Sequence, residues 1–136
     1  MSTATQYLPT PNAVSAPYWQ GCREGKLLLQ YCARCDTHQF YPRACCARCA
    51  GSVLAWREAS GMGHIKSFTV IRRAVSAAYE SEAPYVVALI ELAEGPTMMS
   101  NIVTIAPDDV RIGARVYVQF EAWNTDTTVP VFRLAE

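Results

Sequence analysis

The chain has 136 residues, an apolar content of 51%, and twelve basic side chains balanced by twelve acidic ones. A chain of this size and hydrophobicity can bury the core of one compact unit or two very small ones, which excludes an intrinsically disordered protein. Residues 61–136 hold nine Asp or Glu against six Lys or Arg, so they lack the basic groove that tracks a phosphate backbone, and nucleic-acid binding is not expected.

The beginning of the sequence shows no targeting signal. The segment MSTATQYLPTPN has neither a positive start nor an apolar stretch as long as that of a secretory signal, and we expect residues 1–14 to form a flexible polar tail. No apolar run reaches the roughly 20 residues that cross a bilayer, since even PYVVALIEL is closed off by Glu91 and Glu94. These observations predict a soluble cytoplasmic protein that does not associate with a membrane.

A short helix is predicted after this tail, in the stretch SAPYWQGCREGKL. Ser15 is suited to capping its N-terminus, Pro17 fits the first turn, and Gly25 ends it. Cys22 lies four residues after Tyr18 on one side of the helix, in apolar surroundings. We interpret Cys22 as a small core residue.

Five of the six cysteines lie in YCARCDTHQFYPRACCARC, residues 31–49, which contains two copies of Cys-Ala-Arg-Cys. A reducing cytoplasm disfavours structural disulfides, and paired CxxC motifs there indicate metal binding or redox chemistry. Cys32 and Cys35 form the first pair, and Cys46 and Cys49 form the second. Ten residues lie between Cys35 and Cys46, enough for a short hairpin to bring four thiolates around one ion. We predict one structural zinc per chain with no open position for a substrate, although four thiolates also accept iron.

Two side chains near these motifs have more than one interpretation. Cys45 does not fit the CxxC spacing, and we interpret it as a half-buried neighbour of the second pair, with a redox or nucleophilic role as the alternative. His38 could replace a ligand, but four cysteines at matched spacing make this unnecessary. We expect His38 to be a surface side chain.

After Gly51 the sequence has the character of β-strands separated by turns rich in Gly, Pro and polar residues. The predicted strands are VLAWREA, HIKSFTVIRRA, PYVVALIEL, TMMSNIVTI, ARVYVQFEAW and VPVFRLA. Five or six short strands in about 85 residues suit a small closed barrel better than a two-sheet sandwich. The predicted organisation is mainly β, with the helix and metal-binding region at 15–52 and the barrel at 53–136.

The order of these motifs resembles the DUF35 family. The resemblance extends from about residue 15 to 134 and rests on YWQGCREGKLLLQYC, the two CxxC pairs around FYPR, SGMGHIKSFTVIRRA, APYVVALIEL, MSNIV and DVRIGARVYVQF. It implies a rubredoxin-like zinc ribbon followed by an OB-fold β-barrel. It also implies a non-catalytic partner of thiolases, aldolases or acyltransferases of the thiolase fold, in a hetero-oligomer with a shared CoA-ester site. The sequence departs from the family pattern at Ala47, where a proline is usual.

Catalytic motifs are not evident in the sequence. It contains no GxSxG, no glycine-rich phosphate loop and no HExxH, and neither of its two histidines lies near a nucleophile and a carboxylate. Glu91 and Glu121 alternate with apolar residues in predicted strands and are interpreted as solvent-facing charges. We therefore expect no catalysis by this chain on its own.

Candidate ligand contacts follow from the implied CoA-ester site. A guanidinium binds phosphate through paired donors, and neighbouring residues of a strand point to opposite faces, so one of two adjacent arginines can face a given ligand. The alternative is that these are ordinary surface arginines and packing residues. The candidates are Phe68, Arg72, Arg73 and Asn101.

Candidate interface residues are the large aromatic side chains of the helix and ribbon. These are more numerous than a short helix and a ribbon bury easily, and aromatic side chains are typical of interface centres. The alternative is packing between helix, ribbon and barrel. The candidates are Tyr18, Trp19, Phe40 and Tyr41.

The resulting hypothesis is an accessory subunit that binds a thiolase-fold enzyme and helps to form its acyl-CoA site. One alternative is a freestanding acyl-CoA binding module, which predicts that the isolated chain binds CoA esters. A second alternative is a nucleic-acid-binding OB-fold protein, which gel shifts at low salt would detect.

Overall fold

The computed structural model describes residues 8–74, 77, 83–103 and 105–135. Residues 1–7 of the predicted tail lie outside this part of the chain. The elements are α1 (Ala16–Arg23), β1 (Leu28–Cys32), β2 (Thr37–Gln39), β3 (Ala55–Glu58), β4 (Met62–Ile71), β5 (Tyr85–Leu92), β6 (Thr97–Ile102), a short 3₁₀ turn (Pro107–Asp109), β7 (Arg115–Ala122) and β8 (Thr128–Leu134). No helix among the described residues has the length and apolar character to cross a membrane.

Helix α1 begins directly after Ser15, but Ser15 does not cap it. The backbone of Ser15 is already helical, and its side chain makes no capping hydrogen bond. The side-chain oxygen of Asn12 instead accepts hydrogen bonds from the backbone N–H groups of Val14 and Ser15, at 3.0 and 2.9 Å. The prediction of Ser15 as the cap is therefore wrong, because the asparagine forms a turn of its own before the helix.

The first sheet has three antiparallel strands in the order β2-β1-β3. Strand β1 is buried along most of its length and has a partner on each edge. One partner is β3, where Trp56 lies opposite Gln30. The segment around Trp56, predicted as the first barrel strand, therefore belongs to the ribbon sheet, and five strands form the barrel.

The remaining strands form a closed barrel in the order β4-β5-β6-β8-β7. All neighbours are antiparallel except β6 and β8, which run parallel. A five-stranded Greek-key barrel of this kind is the OB-fold. The prediction of a mainly β protein with a helix, a zinc ribbon and a small barrel is confirmed.

A β-bulge in β4 keeps its apolar side chains on the inner face of the barrel. Ile65 lies opposite Ile90, and Ser67 lies opposite Leu89, so β4 advances by two residues where β5 advances by one. Lys66 is therefore an extra residue. An extra residue shifts the alternation of side chains by one position. Phe68 therefore packs against the same core as Ile65, three residues earlier.

Helix, ribbon and barrel share one hydrophobic core. Tyr18 and Cys22 of α1 and Leu29 of β1 belong to the same buried cluster as Ile90 and Phe132 of the barrel. Cys22 is 0% exposed, which confirms its predicted place in the core. The common core holds the ribbon in a defined position on the barrel.

Candidate functional site

Four cysteine side chains converge beside the ribbon sheet. Cys32 ends β1, Cys35 lies in the following turn, and Cys46 and Cys49 lie between β2 and β3. Their sulfur atoms are all within 4.8 Å of one another, with 3.7 Å between Cys32 and Cys49 and 3.9 Å between Cys35 and Cys46. A tetrahedral zinc with bonds of about 2.3 Å requires sulfur separations of about 3.8 Å. The predicted cluster is thus present, and its geometry fits a single tetrahedral ion.

The two Cys-Ala-Arg-Cys copies form matching turns. Asp36 and Ala50, which follow the two copies, both have left-handed backbone angles, with φ of 51° and 61°. In the second copy the N–H of Ala50 donates to the carbonyl of Cys46 at 2.9 Å, and the N–H of Cys46 donates to the carbonyl of Gly51 at 2.8 Å. The turn therefore forms with Ala47 where the DUF35 pattern usually has a proline.

Two glutamines that the sequence analysis missed hold the second turn in place. The buried Gln30 side chain donates to the carbonyl of Arg43 and accepts from its N–H, both at 2.8 Å. Gln39 donates to Gln30 at 2.8 Å and accepts from the N–H of Ala47 at 2.9 Å. The signal in the sequence was an amide residue inside the apolar strand LLLQY, because a buried polar side chain requires partners.

The electrostatics of the cluster favour a cation. Backbone N–H groups of Cys49 and Arg48 lower the pKa of Cys46 to about 6, and the Arg48 N–H lies 3.3 Å from the Cys46 sulfur. The pKa of Cys35 is raised to about 12, chiefly by a hydrogen bond with Cys49. The Cys46 thiolate therefore forms readily, whereas Cys35 holds its proton in the absence of an ion. An ion that binds four thiolates must displace the remaining protons, so its affinity rises with pH.

The side chains next to the cluster do not join it. Cys45 is exposed, so its interpretation as a half-buried neighbour is wrong. The backbone carbonyl of Cys45 accepts a hydrogen bond from the Gln39 side chain at 3.2 Å, and the thiol is left at the surface. His38 is half-buried, with its ring 5.0 Å from that of Tyr31. The sulfur cluster consists of the four residues that the CxxC spacing predicted.

The two remaining cysteines should differ strongly in reactivity. Burial raises the pKa of Cys22 from the ordinary value of 9.0 to about 11, whereas Cys45 is exposed. At pH 8 a thiol with a pKa of about 11 holds about a hundredfold less thiolate than a thiol with the ordinary pKa of 9.0. In the metal-loaded protein we expect iodoacetamide to label Cys45 first and Cys22 at least about a hundred times more slowly, measured by a mass-spectrometric time course. Comparable rates would contradict the buried position of Cys22.

The barrel is weakly closed between β6 and β8. Among the described residues these strands share a single registered pair, Ile102 with Phe132. Toward their N-terminal ends the Ser100 hydroxyl donates to the carbonyl of Pro130 at 3.0 Å, and Pro130 has no N–H to offer a neighbouring strand. We call this region, Met98–Asn101 with 129–131, the seam.

Two cavities flank the seam, and both are lined by Met99, Asn101 and Trp123. The smaller has a volume of about 420 Å³ and lies under α1 and the end of β2. The larger has a volume of about 570 Å³ and extends to Pro84 and Tyr85. Among all of these lining residues the one charged side chain is Glu121, which lines the larger cavity.

The structure brings one of the four candidate ligand residues to these cavities. Asn101 lines both, and its side-chain N–H donates to the carbonyl of Val86 at 3.0 Å. Phe68 packs against the barrel core. Arg72 and Arg73 are exposed after the end of β4, and Arg72 lies 3.7 Å from the carboxylate of Asp108. The arginines therefore lie outside the lining of the cavities.

The four candidate interface aromatics all line the smaller cavity. Their rings form a continuous chain of contacts. Tyr18 and Trp19 meet edge to face with ring centroids 4.9 Å apart, and tilted pairs follow for Tyr18 with Phe40 at 5.3 Å and Phe40 with Tyr41 at 4.3 Å. Tyr18 is buried, Trp19 and Phe40 are half-buried, and Tyr41 is 51% exposed. The Tyr41 hydroxyl accepts a hydrogen bond from the N–H of Met99 at 3.4 Å, which joins the ribbon to the seam.

Comparisons with protein families assign the two halves of the chain separately. Residues 19–55 match the rubredoxin-like zinc ribbon domain of ChsH2, and residues 56–121 match the C-terminal OB-fold domain of ChsH2. The division between the two matches falls inside β3, at Trp56.

Curated relatives include a DUF35 domain-containing scaffold protein of Methanocaldococcus jannaschii, 33% identical over 79% of this chain and 77% of the relative. A second relative is a probable enoyl-CoA hydratase alpha subunit of Thermomonospora curvata, 36% identical over 93% of this chain. The chain spans 39% of the length of this second relative.

Among solved structures, the chain is similar to one from an Ltp2-ChsH2(DUF35) aldolase. The two superpose with a TM-score of 0.85 at 36% identity and cover 94% of this chain and 99% of that chain. A DUF35 protein of unknown function from Sulfolobus solfataricus shares the fold, with a TM-score of 0.66 at 14% identity over 91% of this chain and 87% of the other.

Proposed function

The chain belongs to the DUF35 family, and on that premise we propose that it is a non-catalytic scaffold subunit of a thiolase-fold enzyme and helps to form the acyl-CoA site of that enzyme. The observation that carries this proposal is the close structural match, over almost all of both chains, to the structure from an Ltp2-ChsH2(DUF35) aldolase. Relatives described as scaffold proteins support the same role.

We propose zinc as the bound ion and structure as its role. Four sulfur atoms close the coordination sphere, so a tetrahedral ion held by them keeps no position for a substrate or water. The thiols that would hold the ion stay reduced in a cytoplasm, which is the compartment we propose. The ion then fixes the ribbon, which shares its core with the barrel.

The smaller cavity supports a role in binding the apolar part of a CoA ester. Its lining combines aromatic and aliphatic side chains with few polar groups, as is typical of sites for apolar ligands. The lining contains no Lys or Arg, whereas the phosphate groups of CoA require cationic partners. This favours a site shared with another chain over a freestanding acyl-CoA carrier, because a partner would supply the phosphate contacts.

Co-expression tests the scaffold role. The chain is produced together with a thiolase-fold enzyme of the same organism, and the soluble yield and acyl-CoA turnover of that enzyme are measured with and without the chain. We expect a complex that is stable in gel filtration and an increase in yield or turnover of at least about fivefold, since obligate subunits stabilise each other by mass action. An enzyme that is equally soluble and active alone would count against the proposal.

Calorimetry with the isolated chain distinguishes the scaffold from the carrier. A freestanding carrier is expected to bind a CoA ester without any other protein. The proposed subunit is expected to show at least a tenfold weaker affinity alone than in the complex, because the phosphate contacts are then missing.

A further inference from the structure

The outer surface of β5 is unusually apolar for a strand of a small barrel. Its inward residues Val86, Ala88, Ile90 and Leu92 are buried, as the alternation of a strand requires. The outward residues Tyr85, Val87 and Leu89 are also apolar, and Leu89 is 42% exposed. A strand that is apolar on both faces is typical of a sheet that is covered on both sides.

The neighbouring strands extend this uncharged surface. Three rows of outward residues lie on β4, β5 and β6. They are bounded by the exposed Lys66 at the bulge, next to Ser67, and by the following row, where His64 lies 3.2 Å from Glu91. Met99, in the row of Leu89, is 57% exposed. We call this surface the outer face; its members are Ile71, Tyr85, Thr69, Val87, Asn101, Ser67, Leu89 and Met99.

The outer face is continuous with the larger cavity. Tyr85, Val87, Met99 and Asn101 belong to both, so the face leads into a recess of about 570 Å³ walled by Trp123. A flat apolar patch joined to a recess matches a protein partner that presents a projecting element, because the recess can take side chains that a flat surface cannot. The members of the outer face carry no charge and the recess has one charged side chain, Glu121. An apolar element fits this surface best, since a buried unpaired charge is costly.

The size of the outer face argues against a symmetric dimer of this chain as its occupant. Three strands about 4.8 Å apart and three rows about 6.8 Å apart cover roughly 300 Å². A standard stable interface needs about 800 Å² from each partner. The outer face is therefore one part of a larger contact, with a partner that also fills the recess.

We propose that the outer face, with Leu89 and Met99 at its centre, is the docking surface for an apolar, uncharged element of the thiolase-fold partner. This inference rests on the proposed scaffold function. It differs from the interface expected from the sequence, because Tyr18 is buried and Trp19 and Phe40 are half-buried against the core, which leaves Tyr41, 51% exposed, as the most accessible of those four aromatics.

Single charged substitutions test this surface in the complex of the chain with the thiolase-fold enzyme identified by co-expression. Leu89→Asp and Met99→Asp are each expected to weaken the affinity at least tenfold, measured by calorimetry or surface plasmon resonance. The matched control is Met62→Asp, on β4 and 39% exposed, which should bind within twofold of the unmodified chain. Thermal melting verifies that each variant is folded, and Leu89→Gln serves as a milder second variant.

The outcomes separate this inference from the scaffold role. If the unmodified chain binds and both Asp variants bind equally well, the docking surface is wrong and the scaffold role stands. An equal loss with Met62→Asp also overturns the assignment of the surface. If the chain alone forms a dimer that Leu89→Asp dissociates, a second copy and not the enzyme covers the face. Failure of the unmodified chain to bind refutes the scaffold role itself.

Discussion

Replacing Cys46 by serine is expected to abolish metal binding and unfold the ribbon, whereas Cys45→Ser, one residue earlier, is expected to change neither. Structural zinc in small domains binds with an apparent free energy of about 10–16 kcal/mol, most of which is folding free energy. The Cys46 sulfur lies in the cluster, 3.9 Å from that of Cys35, while Cys45 is exposed outside it. Both variants replace a cysteine by serine at neighbouring positions, so their comparison isolates the effect of losing the Cys46 sulfur from the cluster.

The measurement is the metal content of each purified variant under reducing conditions, with zinc and iron determined together. We expect about one zinc per chain for Cys45→Ser and almost none for Cys46→Ser. Because Tyr18 and Leu29 belong to the barrel core, we expect the barrel of Cys46→Ser to keep its strands but to melt at a lower temperature. Loss of metal in Cys45→Ser with retention in Cys46→Ser would reverse the ligand assignment.

Phe132→Ala is expected to destabilise the barrel by about 3–5 kcal/mol, a large part of the total stability of a small domain. Phe132 is 0% exposed and is the largest fully buried side chain of the described residues. It also forms the registered pair with Ile102 that closes the barrel between β6 and β8. The cavity left by the ring would weaken the core at the point where backbone pairing is sparsest.

Urea denaturation followed by circular dichroism measures this loss. Tyr117→Ala is the control, since Tyr117 lies on the neighbouring strand β7 and is 36% exposed. We expect this control to lose less than about 1 kcal/mol. A loss below about 1.5 kcal/mol for Phe132→Ala would mean that the core collapses around the missing ring and that the seam does not depend on it.

The pH dependence of metal binding follows from the same cluster. The pKa of Cys46 is lowered to about 6, while that of Cys35 is raised to about 12. As the pH falls, protons compete with the metal for the thiolates, so loss of metal on acidification is expected before the barrel is affected.

The strands and the cysteine cluster could be predicted because they depend on local patterns. Each predicted strand overlaps an observed one, since alternation and β-branched residues report how a segment fits a pleated surface. The four cysteines of the sulfur cluster follow from spacing, because a CxxC pair can hold one ion only through a tight turn. The same spacing leaves out Cys45, whose side chain is exposed outside the cluster.

Errors occurred where partners distant in sequence decide the outcome. Nothing local indicates that the strand of Trp56 pairs with β1 and not with the barrel, because both sheets offer the same hydrogen bonds. Cys45 was expected to be half-buried and is exposed, since exposure depends on how the Gln30 and Gln39 amides hold the loop. Ser15 lost its capping role to a competing Asn12 turn three residues away.

The amino-acid sequence by itself predicted the four cysteines that form the sulfur cluster and the strand pattern. Only the tertiary structure decided which apolar residues remain exposed. In the sequence PYVVALIEL both alternating sets of residues are apolar up to Ile90, and the tertiary structure determines which of them is covered. The seam and its two cavities arise from the closure of the barrel, because they join β6 to β8, which no local interaction brings together.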